Sequence, residues 1–370
     1  MSPLALLAVG IWFIVQPPAP GPLEAGLLAF LAAFGLTPFI RLLARRSGAL
    51  DHPDDRKAHA SPTPRLGGVA VIAAFVLAIG RGPLLDREMM AIVIAALALM
   101  LAGAIDDTRG LSAGLRLSLQ LACAVAVIAA GVRLNLVPGP YGLIINVALS
   151  IVWIIGITNA YNFIDGMDGL AASLGAAIAV LLALVGRGSA HPAIPEVSLA
   201  LAGALLGFLP HNLPPRGPAT IFLGDSGSAS IGFLLAALAI KEDWAEGDPL
   251  VALAAPVLIF SVLIYDMIQT TVSRIASGRV RSFRGWIEYV GRDHIHHRFT
   301  ALLGSPRRAL LLILMLALGL GLSALGLKRG ANGQALIFLV HGALVLAVVA
   351  VLEGAAIRRR GIEPEPPETP

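Results

Sequence analysis

The sequence predicts an all-α integral membrane protein, a polytopic bundle of roughly 10–11 transmembrane helices. Two observations carry this prediction. First, hydrophobic residues make up 57% of the 370 residues and charged residues only 14%, with a mean hydropathy of +0.82, whereas soluble domains carry about 25% charged residues. Second, uncharged runs close to the roughly 20 residues that cross a bilayer as a helix recur along the chain. Runs of this length favour helices over a β-barrel, whose strands would be short and alternating.

The apolar runs divide the chain into one multi-pass domain, 21–355, and two flanking segments. An additional apolar run, 4–16, lies in the N-terminal segment 1–20, and an extra span, a surface helix and a misplaced start are all open for it. The tail 356–370 is rich in Pro and Glu and is predicted to be disordered. The single cysteine, Cys123, falls inside a span, which indicates a small buried hydrophobe. The predicted spans are 23–41, 65–81, 88–105, 114–132, 141–160, 168–186, 196–213, 226–241, 249–271, 308–327 and 331–352.

The basic residues predict the orientation of the bundle. Twenty of the 27 Lys and Arg residues lie in one alternating set of loops, together with the C-terminal tail. Because Lys and Arg concentrate in cytoplasmic loops, this set is predicted to face the cytoplasm. The same loops carry almost every unusual polar cluster, which predicts one site at the cytoplasmic surface. The clusters are DHPDDRKAHASPTPRLGG (51–68), GAIDDTRGL (103–111), NAYNFIDGMDGL (159–170), FLGDSGS (222–228) and GRDHIHHR (291–298).

Two of these clusters place closely spaced acids at the ends of predicted spans. Asp106 and Asp107 end a predicted span, where they are either solvated acids at a helix end or functional groups, a general base or a metal site. Asn159, Asn162, Asp165 and Asp168 stand at the joint between two spans. The neighbouring glycines favour a broken joint that aims several oxygens at one point, and a plain turn with helix caps is the alternative.

The other clusters add possible metal ligands and cations. Asp225 begins a span, where it could cap the helix or hold Mg²⁺, which prefers oxygen ligands. His294, His296, His297 and Arg298 lie in a basic loop without a cysteine, so that a structural zinc site is disfavoured. Such cations suit an anionic ligand such as a diphosphate, although a basic loop on the membrane surface is the alternative. A further loop joins basic residues to a PTPRLGG helix start that could attract phosphate; these residues are Arg56, Lys57 and His59.

Taken together, the clusters predict Mg²⁺-dependent chemistry on a phosphorylated substrate at the membrane surface. The residue types alone do not distinguish a nucleotide, a sugar or a prenol. Two other classes stay open. A transporter would place its acids near the midplane, often in repeated halves, and here the acids lie at span ends. A non-catalytic scaffold of a glycan-export complex would tolerate the loss of Asp225.

All five motifs, in this order, resemble those of the polyprenyl-phosphate N-acetylhexosamine-1-phosphate transferases. The resemblance covers roughly residues 25–350, and the HIHH pattern is similar to the WecA and TagO branch rather than to MraY, which carries three consecutive histidines. It implies transfer of an N-acetylhexosamine-1-phosphate from a UDP-sugar to undecaprenyl phosphate, with release of UMP. GlcNAc-1-phosphate is the leading candidate for the transferred group. The MraY-type phospho-MurNAc-pentapeptide transfer and other UDP-N-acetyl sugars are alternatives. The resemblance also implies a role in initiating cell-envelope polysaccharide synthesis.

The resemblance implies a role for each motif. Asp106 and Asp107 are candidate catalytic acids, and one of them would deprotonate the lipid phosphate. Asp225 is the principal Mg²⁺ ligand and Asn162 a second one, with Mn²⁺ as an alternative metal. The remaining acids and one histidine are placed in the catalytic group: Asp165, Asp168 and His297. Substrate contacts are assigned to Arg56, Lys57, His59, Asn159, His294, His296 and Arg298.

The resemblance implies further properties as well. The protein is expected in the inner (cytoplasmic) membrane, with its active site on the cytoplasmic face. The expected partners are undecaprenyl phosphate, a UDP-N-acetylhexosamine and membrane lipids, with no nucleic acid. A homodimer is one open alternative for the assembly state. Asp266 also resembles a recurring family acid, and its role is left open.

Overall fold

The computed structural model describes residues 21–52, 61–80, 86–187, 191–242, 249–282, 285–286, 289, 291, 293–329 and 334–360. A short antiparallel ribbon pairs β1 (Leu50–Asp51) with β2 (Thr63–Pro64). The apolar run 4–16 and the predicted substrate contacts Arg56, Lys57 and His59 lie outside the described residues. The helices are α1 (Pro22–Ser47), α2 (Gly67–Ile79), α3 (Arg87–Arg109), α4 (Ala113–Ala130), α5 (Gly142–Ile164), α6 (Leu170–Val185), α7 (Ala193–Asn212), α8 (Asp225–Lys241), α9 (Pro249–Ile259), α10 (Ser261–Ala276), α11 (Ile295–Leu303), α12 (Pro306–Arg329) and α13 (Gln334–Arg360).

The prediction of an all-α polytopic membrane protein is confirmed. Within the described ranges, seven helices are long and apolar enough to cross a membrane, namely α1, α3, α4, α5, α7, α12 and α13. Three other predicted spans form shorter helices, since α2 has 13 residues, α6 has 16 and α8 has 17. Helix α13 ends at Arg360, inside the segment 356–370 that the sequence assigns to the tail.

The predicted span 249–271 forms two helices, α9 and α10, that meet at a sharp bend. The chain bends by 80° between α9 and α10, at Phe260. Pro256 lies one turn earlier, but a proline disturbs the turn that precedes it, and that turn, 252–256, remains part of α9. The backbone N–H of Phe260 still donates to the carbonyl of Pro256 at 3.0 Å, so α9 completes its last turn before the bend.

Helix α8 lies at the centre of the bundle. Almost all of its side chains, from Ser226 to Lys241, are buried, and it packs against α2, α3, α5 and α6. A helix that is apolar on every side belongs in such a position. Large exposed hydrophobic side chains instead stand on the outer helices, where lipid would cover them; examples are Leu121, Ile144, Leu311 and Leu344.

Glycines let three helices of this centre meet backbone to backbone. A Cβ placed on Gly68 of α2 would lie 2.0 Å from the Cα of Gly227 in α8. A Cβ placed on Gly103 of α3 would lie 2.4 Å from the carbonyl oxygen of Asp225. Neither distance can accommodate a side chain, so α2 and α3 both fix the first turn of α8. The end of the bundle where α3 ends and α8 begins is called the aspartate end below.

The opposite end of α8 is held by a buried lysine. Lys241 Nζ lies 2.8 Å from Asp86 Oδ2 and 2.6 Å from Glu88 Oε2, and the lysine side chain is 1% exposed. Asp86 also caps α3 by accepting a hydrogen bond from Met89 N at 2.7 Å. Both ends of α8 are therefore tied to α3, one by this lysine and the other by the acids of the aspartate end.

Candidate active site

The carboxylate of Asp107, in the last turn of α3, caps the first turn of α8. Its Oδ1 accepts a hydrogen bond from Asp225 N at 2.9 Å, and its Oδ2 accepts one from Ser226 N at 3.0 Å. The N-cap position of α8 is Gly224, at φ 75°, which has no side chain to cap the helix. A Cβ at Gly224 would lie 1.9 Å from the carbonyl oxygen of Arg65, so no capping side chain fits there. Asp107 supplies the cap from the neighbouring helix, and both of its oxygens are engaged.

Asp225, the predicted metal ligand, is oriented by an amide on α5. Asn162 Nδ2 donates to Asp225 Oδ1 at 2.9 Å and to Ser228 Oγ at 2.6 Å. The side chain of Asp225 is 22% exposed, which leaves it accessible from the site. The alternative that Asp225 caps α8 is excluded by the structure, because Asp225 is the first helical residue and Asp107 caps the helix.

Arg116, in the first turns of α4, links two of the acids and was missed as a site residue. Its Nη1 lies 3.2 Å from Asp106 Oδ2 and 4.0 Å from Asp225 Oδ1. The other oxygen of Asp106 accepts from Leu111 N at 2.5 Å. The sequence counts Arg116 only as a charge that sets topology. Arg116 follows Asp106 and Asp107 after one short loop, and this closeness in the sequence could have identified it as a site residue.

The predicted broken joint between two spans is confirmed. Helix α5 ends at Ile164, α6 begins at Leu170, and Gly169 between them adopts φ 74°, a conformation that favours glycine. Asp165 stands directly after α5. Burial, followed by the negative charges of Asp225 and Asp107, holds the pKa of Asp165 well above its usual range. The acids at this point therefore repel one another, a setting that attracts a cation.

Asp168 and Asn159 are both engaged by protein groups. Asp168 Oδ2 accepts a hydrogen bond from Ala219 N at 2.9 Å, which ties the joint to the loop before α8. Asn159 Nδ2 donates to Gln120 Oε1 of α4 at 2.7 Å. Gln120, buried in an apolar helix, was not identified from the sequence. The catalytic role of Asp168 and the substrate contact of Asn159 stay predictions.

The histidine segment, residues 293–298, lies against the same joint. The ring of His294 stacks on Phe163 with 5.2 Å between centroids. His294 Nδ1 lies 2.7 Å from Asp266 Oδ2, and Asp266 Oδ1 accepts from Ile295 N at 2.6 Å. Asp266, whose role the sequence left open, therefore caps α11 and holds the first histidine of the motif.

His296 points at the joint without a hydrogen-bond partner. The residue is 2% exposed, and neither of its ring nitrogens has a partner among the described residues. A Cβ placed on Gly166 would lie 2.5 Å from His296 Nε2, so this glycine makes room for the ring. Burial, together with the nearby charges of His297 and His294, holds the pKa of His296 well below its usual range. A neutral imidazole with two unused nitrogens is suited to hydrogen-bond a ligand.

The basic residues of this region are paired internally. Arg274 of α10 makes two hydrogen bonds to the carboxylate of Asp293, at 2.8 and 2.7 Å. Burial acts to raise the pKa of Asp293, but these bonds and the arginine charge outweigh it and hold the pKa below its usual range. Arg298 is 10% exposed and donates to protein groups rather than to the joint.

The donor set can be compared with the needs of Mg²⁺. Within the described part of the chain, no three His, Cys, Asp or Glu side chains form a closed metal cage. Mg²⁺ does not require one, since it is usually bound by one or two carboxylates and keeps waters and substrate phosphates. Asp225, held by Asn162 and close enough to Asp165 for their charges to interact, fits this mode of binding.

The fold and the site define a polytopic membrane protein with an acidic and histidine-bearing site at one end of its bundle. Residues 89–242 match the model of Glycosyl transferase family 4. The chain is 33% identical over 375 residues to a decaprenyl-phosphate N-acetylglucosaminephosphotransferase of Mycobacterium tuberculosis (strain CDC 1551 / Oshkosh), covering 91% of this chain and 89% of the relative. It is 29% identical over 338 residues to a probable undecaprenyl-phosphate N-acetylglucosaminyl 1-phosphate transferase of Bacillus subtilis (strain 168), covering 89% and 91%.

A phospho-N-acetylmuramoyl-pentapeptide-transferase of Synechococcus sp. (strain RCC307) is 35% identical over 249 residues, covering 60% of this chain and 66% of the relative. The chain therefore belongs to glycosyl transferase family 4, and the family predicted from the five motifs is confirmed.

Proposed function

We propose that the protein transfers an N-acetylhexosamine-1-phosphate from a UDP-sugar to undecaprenyl phosphate, with GlcNAc-1-phosphate as the leading candidate for the transferred group. The products are the undecaprenyl-diphosphate sugar and UMP, and the reaction takes place at the cytoplasmic face of the inner membrane. The observation that carries the proposal is the convergence of Asp106, Asp165, Asp225 and His296 at one end of the bundle. Relatives named as GlcNAc-1-phosphate transferases, similar over about nine-tenths of the chain, support it.

In this reaction an oxygen of the lipid phosphate forms a bond to the phosphorus that carries the sugar. The bond from that phosphorus to the oxygen of UMP breaks, and UMP leaves with the electron pair. Mg²⁺ held by Asp225 would neutralise charge on the diphosphate. Of the paired acids, Asp106 is better placed to accept the proton of the lipid phosphate, because Asp107 is buried as a helix cap, whereas one oxygen of Asp106 meets, among the described residues, only the exposed side chain of Arg116.

The remaining residues orient the metal ligand and the donor, and they stabilise charge on the reacting diphosphate. Asn162 holds the carboxylate of Asp225, and Arg116 places a positive charge between Asp225 and Asp106. A fixed cation beside a reacting diphosphate stabilises the charge that develops there. The two unused nitrogens of His296 would hydrogen-bond the donor, with the imidazole neutral.

The test is UMP release by purified protein in detergent, given undecaprenyl phosphate, Mg²⁺ and a panel of UDP-sugars. The panel includes UDP-GlcNAc, other UDP-N-acetylhexosamines and UDP-MurNAc-pentapeptide. Wild type is compared with Asp225→Asn and with Asp86→Asn, an acid at the opposite end of α3 that should leave release unchanged. Lipid-dependent release that EDTA and Asp225→Asn abolish supports the proposal, and the fastest donor identifies the sugar.

If UDP-MurNAc-pentapeptide alone is used, the MraY-type alternative is correct. If a folded, lipid-binding wild type releases no UMP from any donor, the transferase proposal is wrong and an inactive scaffold or a carrier becomes the better explanation.

A further inference from the structure

Each nitrogen of the Arg298 guanidinium faces a protein acceptor, although the sequence predicts a substrate contact for this residue. Its Nε donates to Glu353 Oε1 at 3.1 Å, and its Nη1 donates to the backbone carbonyl of Asp293 at 2.7 Å. Nη1 also donates to the side-chain oxygen of Gln269, and Nη2 lies 3.4 Å from Asp266 Oδ1. With every nitrogen directed at a protein acceptor, this side chain organises the histidine segment rather than reaching into the site.

The acid that holds Arg298 comes from the last helix. Glu353 is the only acidic residue of α13, and it is 3% exposed. Its second oxygen accepts a hydrogen bond from the hydroxyl of Tyr265, on α10, at 2.8 Å. A carboxylate buried at the end of a membrane helix is costly unless it is paired and hydrogen-bonded. Glu353 therefore connects three elements, α10, α11 and α13, through contacts of its two oxygens.

The contacts continue from Arg298 to the first histidine. Asp266 Oδ1 faces Arg298 and also accepts the backbone N–H of Ile295, while Asp266 Oδ2 faces His294 Nδ1 at 2.7 Å. His294 Nε2 lies 3.2 Å from Arg274 Nη2, and an arginine can only donate. In neutral His294 the proton must then sit on Nδ1, toward Asp266. The chain of contacts sets both the orientation and the tautomer of this ring.

We propose that Glu353 is a positioning residue for the histidine segment: it holds Arg298 on Asp266, and thereby fixes the start of α11 and the ring of His294. The proposal rests on the proposed function for the ligand of that segment, a UDP-sugar. Glu353 touches no substrate. Its effect is transmitted by Arg298 and Asp266 to the residues that would.

The test compares wild type, Glu353→Gln and Glu196→Gln. The amide of the first variant keeps one acceptor, so the fold is retained while the charge that holds Arg298 is lost. Glu196 is a matched control, a buried carboxylate on α7 at the end away from the site. Two readouts are made: the KM and kcat for UDP-GlcNAc, and amide hydrogen exchange measured by mass spectrometry over residues 293–299.

Glu353→Gln should raise the KM about tenfold, equal to about 1.4 kcal/mol, with a smaller change in kcat. It should also speed exchange at the Ile295 amide while the exchange of α8 stays as in wild type. Glu196→Gln should alter neither. Wild-type exchange and wild-type KM in Glu353→Gln would overturn the proposal. If the wild-type protein shows no transferase activity, the exchange result still decides the positioning role, so the two failures are distinguishable.

Tyr265→Phe gives a second, milder perturbation of the same contacts. It removes one hydrogen bond to Glu353 without changing charge, and it should raise the KM about threefold, equal to about 0.7 kcal/mol. Since both residues act through Arg298, the double variant Tyr265→Phe/Glu353→Gln should be no worse than Glu353→Gln alone. Fully additive effects would show that the residues act independently and would contradict the proposal.

Discussion

Replacing Asp107 should destabilise the protein far more than replacing its neighbour Asp106. Asp107→Ala leaves the backbone N–H groups of Asp225 and Ser226 buried without acceptors. Each such group costs about 1–3 kcal/mol, so the variant should lose about 2–6 kcal/mol of unfolding free energy. Asp107→Asn keeps one oxygen and turns an NH₂ group toward the other donor, so it should lose about 1–3 kcal/mol.

Asp106→Asn is the matched control because it has the same size and the same chemistry one residue away. Its oxygen can still accept from Leu111 N, and only the ion pair with Arg116 is lost. Arg116 is 44% exposed, so this pair is worth about 1 kcal/mol or less. Asp106→Asn should therefore unfold near wild type while losing transferase activity.

The assay is unfolding of the purified variants by SDS titration in mixed micelles, followed by tryptophan fluorescence, with UMP release measured in parallel. The capping argument fails if Asp107→Asn unfolds like wild type. It also fails if Asp106→Asn proves the less stable of the two.

Three further predictions concern other parts of the molecule. Gly166→Ala should lower the rate of UMP release at least tenfold and change the free energy of unfolding little, because the added Cβ would lie 2.5 Å from His296 Nε2 and displace that ring. Wild-type kinetics of the variant would contradict this prediction. Asp293 has a lowered pKa in the folded protein, so its pair with Arg274 should stabilise the protein above about pH 4 and fade as the pH falls below it. The difference in melting temperature between wild type and Asp293→Asn should therefore narrow in acid, and a constant difference would refute the pairing. Lys241→Met should lower the free energy of unfolding by only about 1 kcal/mol and leave activity intact, since Asp86 and Glu88 reach solvent and stay hydrated without the lysine. A clearly larger loss of unfolding free energy in SDS titration would contradict this prediction.

The fold and the joint could be predicted from the sequence because both depend on local pattern. The length of the apolar runs predicted the helices, and the glycines around Asp165 predicted the break that separates α5 from α6. The 80° bend at Phe260 was not predicted, because it lies one turn after Pro256 and neither a proline nor a glycine stands at the bend itself.

The acids and histidines of the candidate site could be identified from the sequence, but their individual roles could not. The role of Asp107 depends on α8, 118 residues further along the chain. The pairing of Arg298 depends on Glu353, 55 residues away in a helix that otherwise reads as plain membrane span. Partners so distant in sequence leave no spacing pattern, and only the folded bundle brings them together.

The backbone contacts of Gly68 and Gly103 divide the site into two walls of different stiffness. Helices that touch without intervening side chains have no slack, so the wall formed by α2, α3 and the start of α8 can shift only as one block. The facing wall, α10 and α11, is held by buried ion pairs between long side chains, so that the loss of a single charge can loosen it. We therefore expect the acids at the aspartate end to stay in place when a charge such as that of Glu353 is removed, whereas the histidine segment loosens.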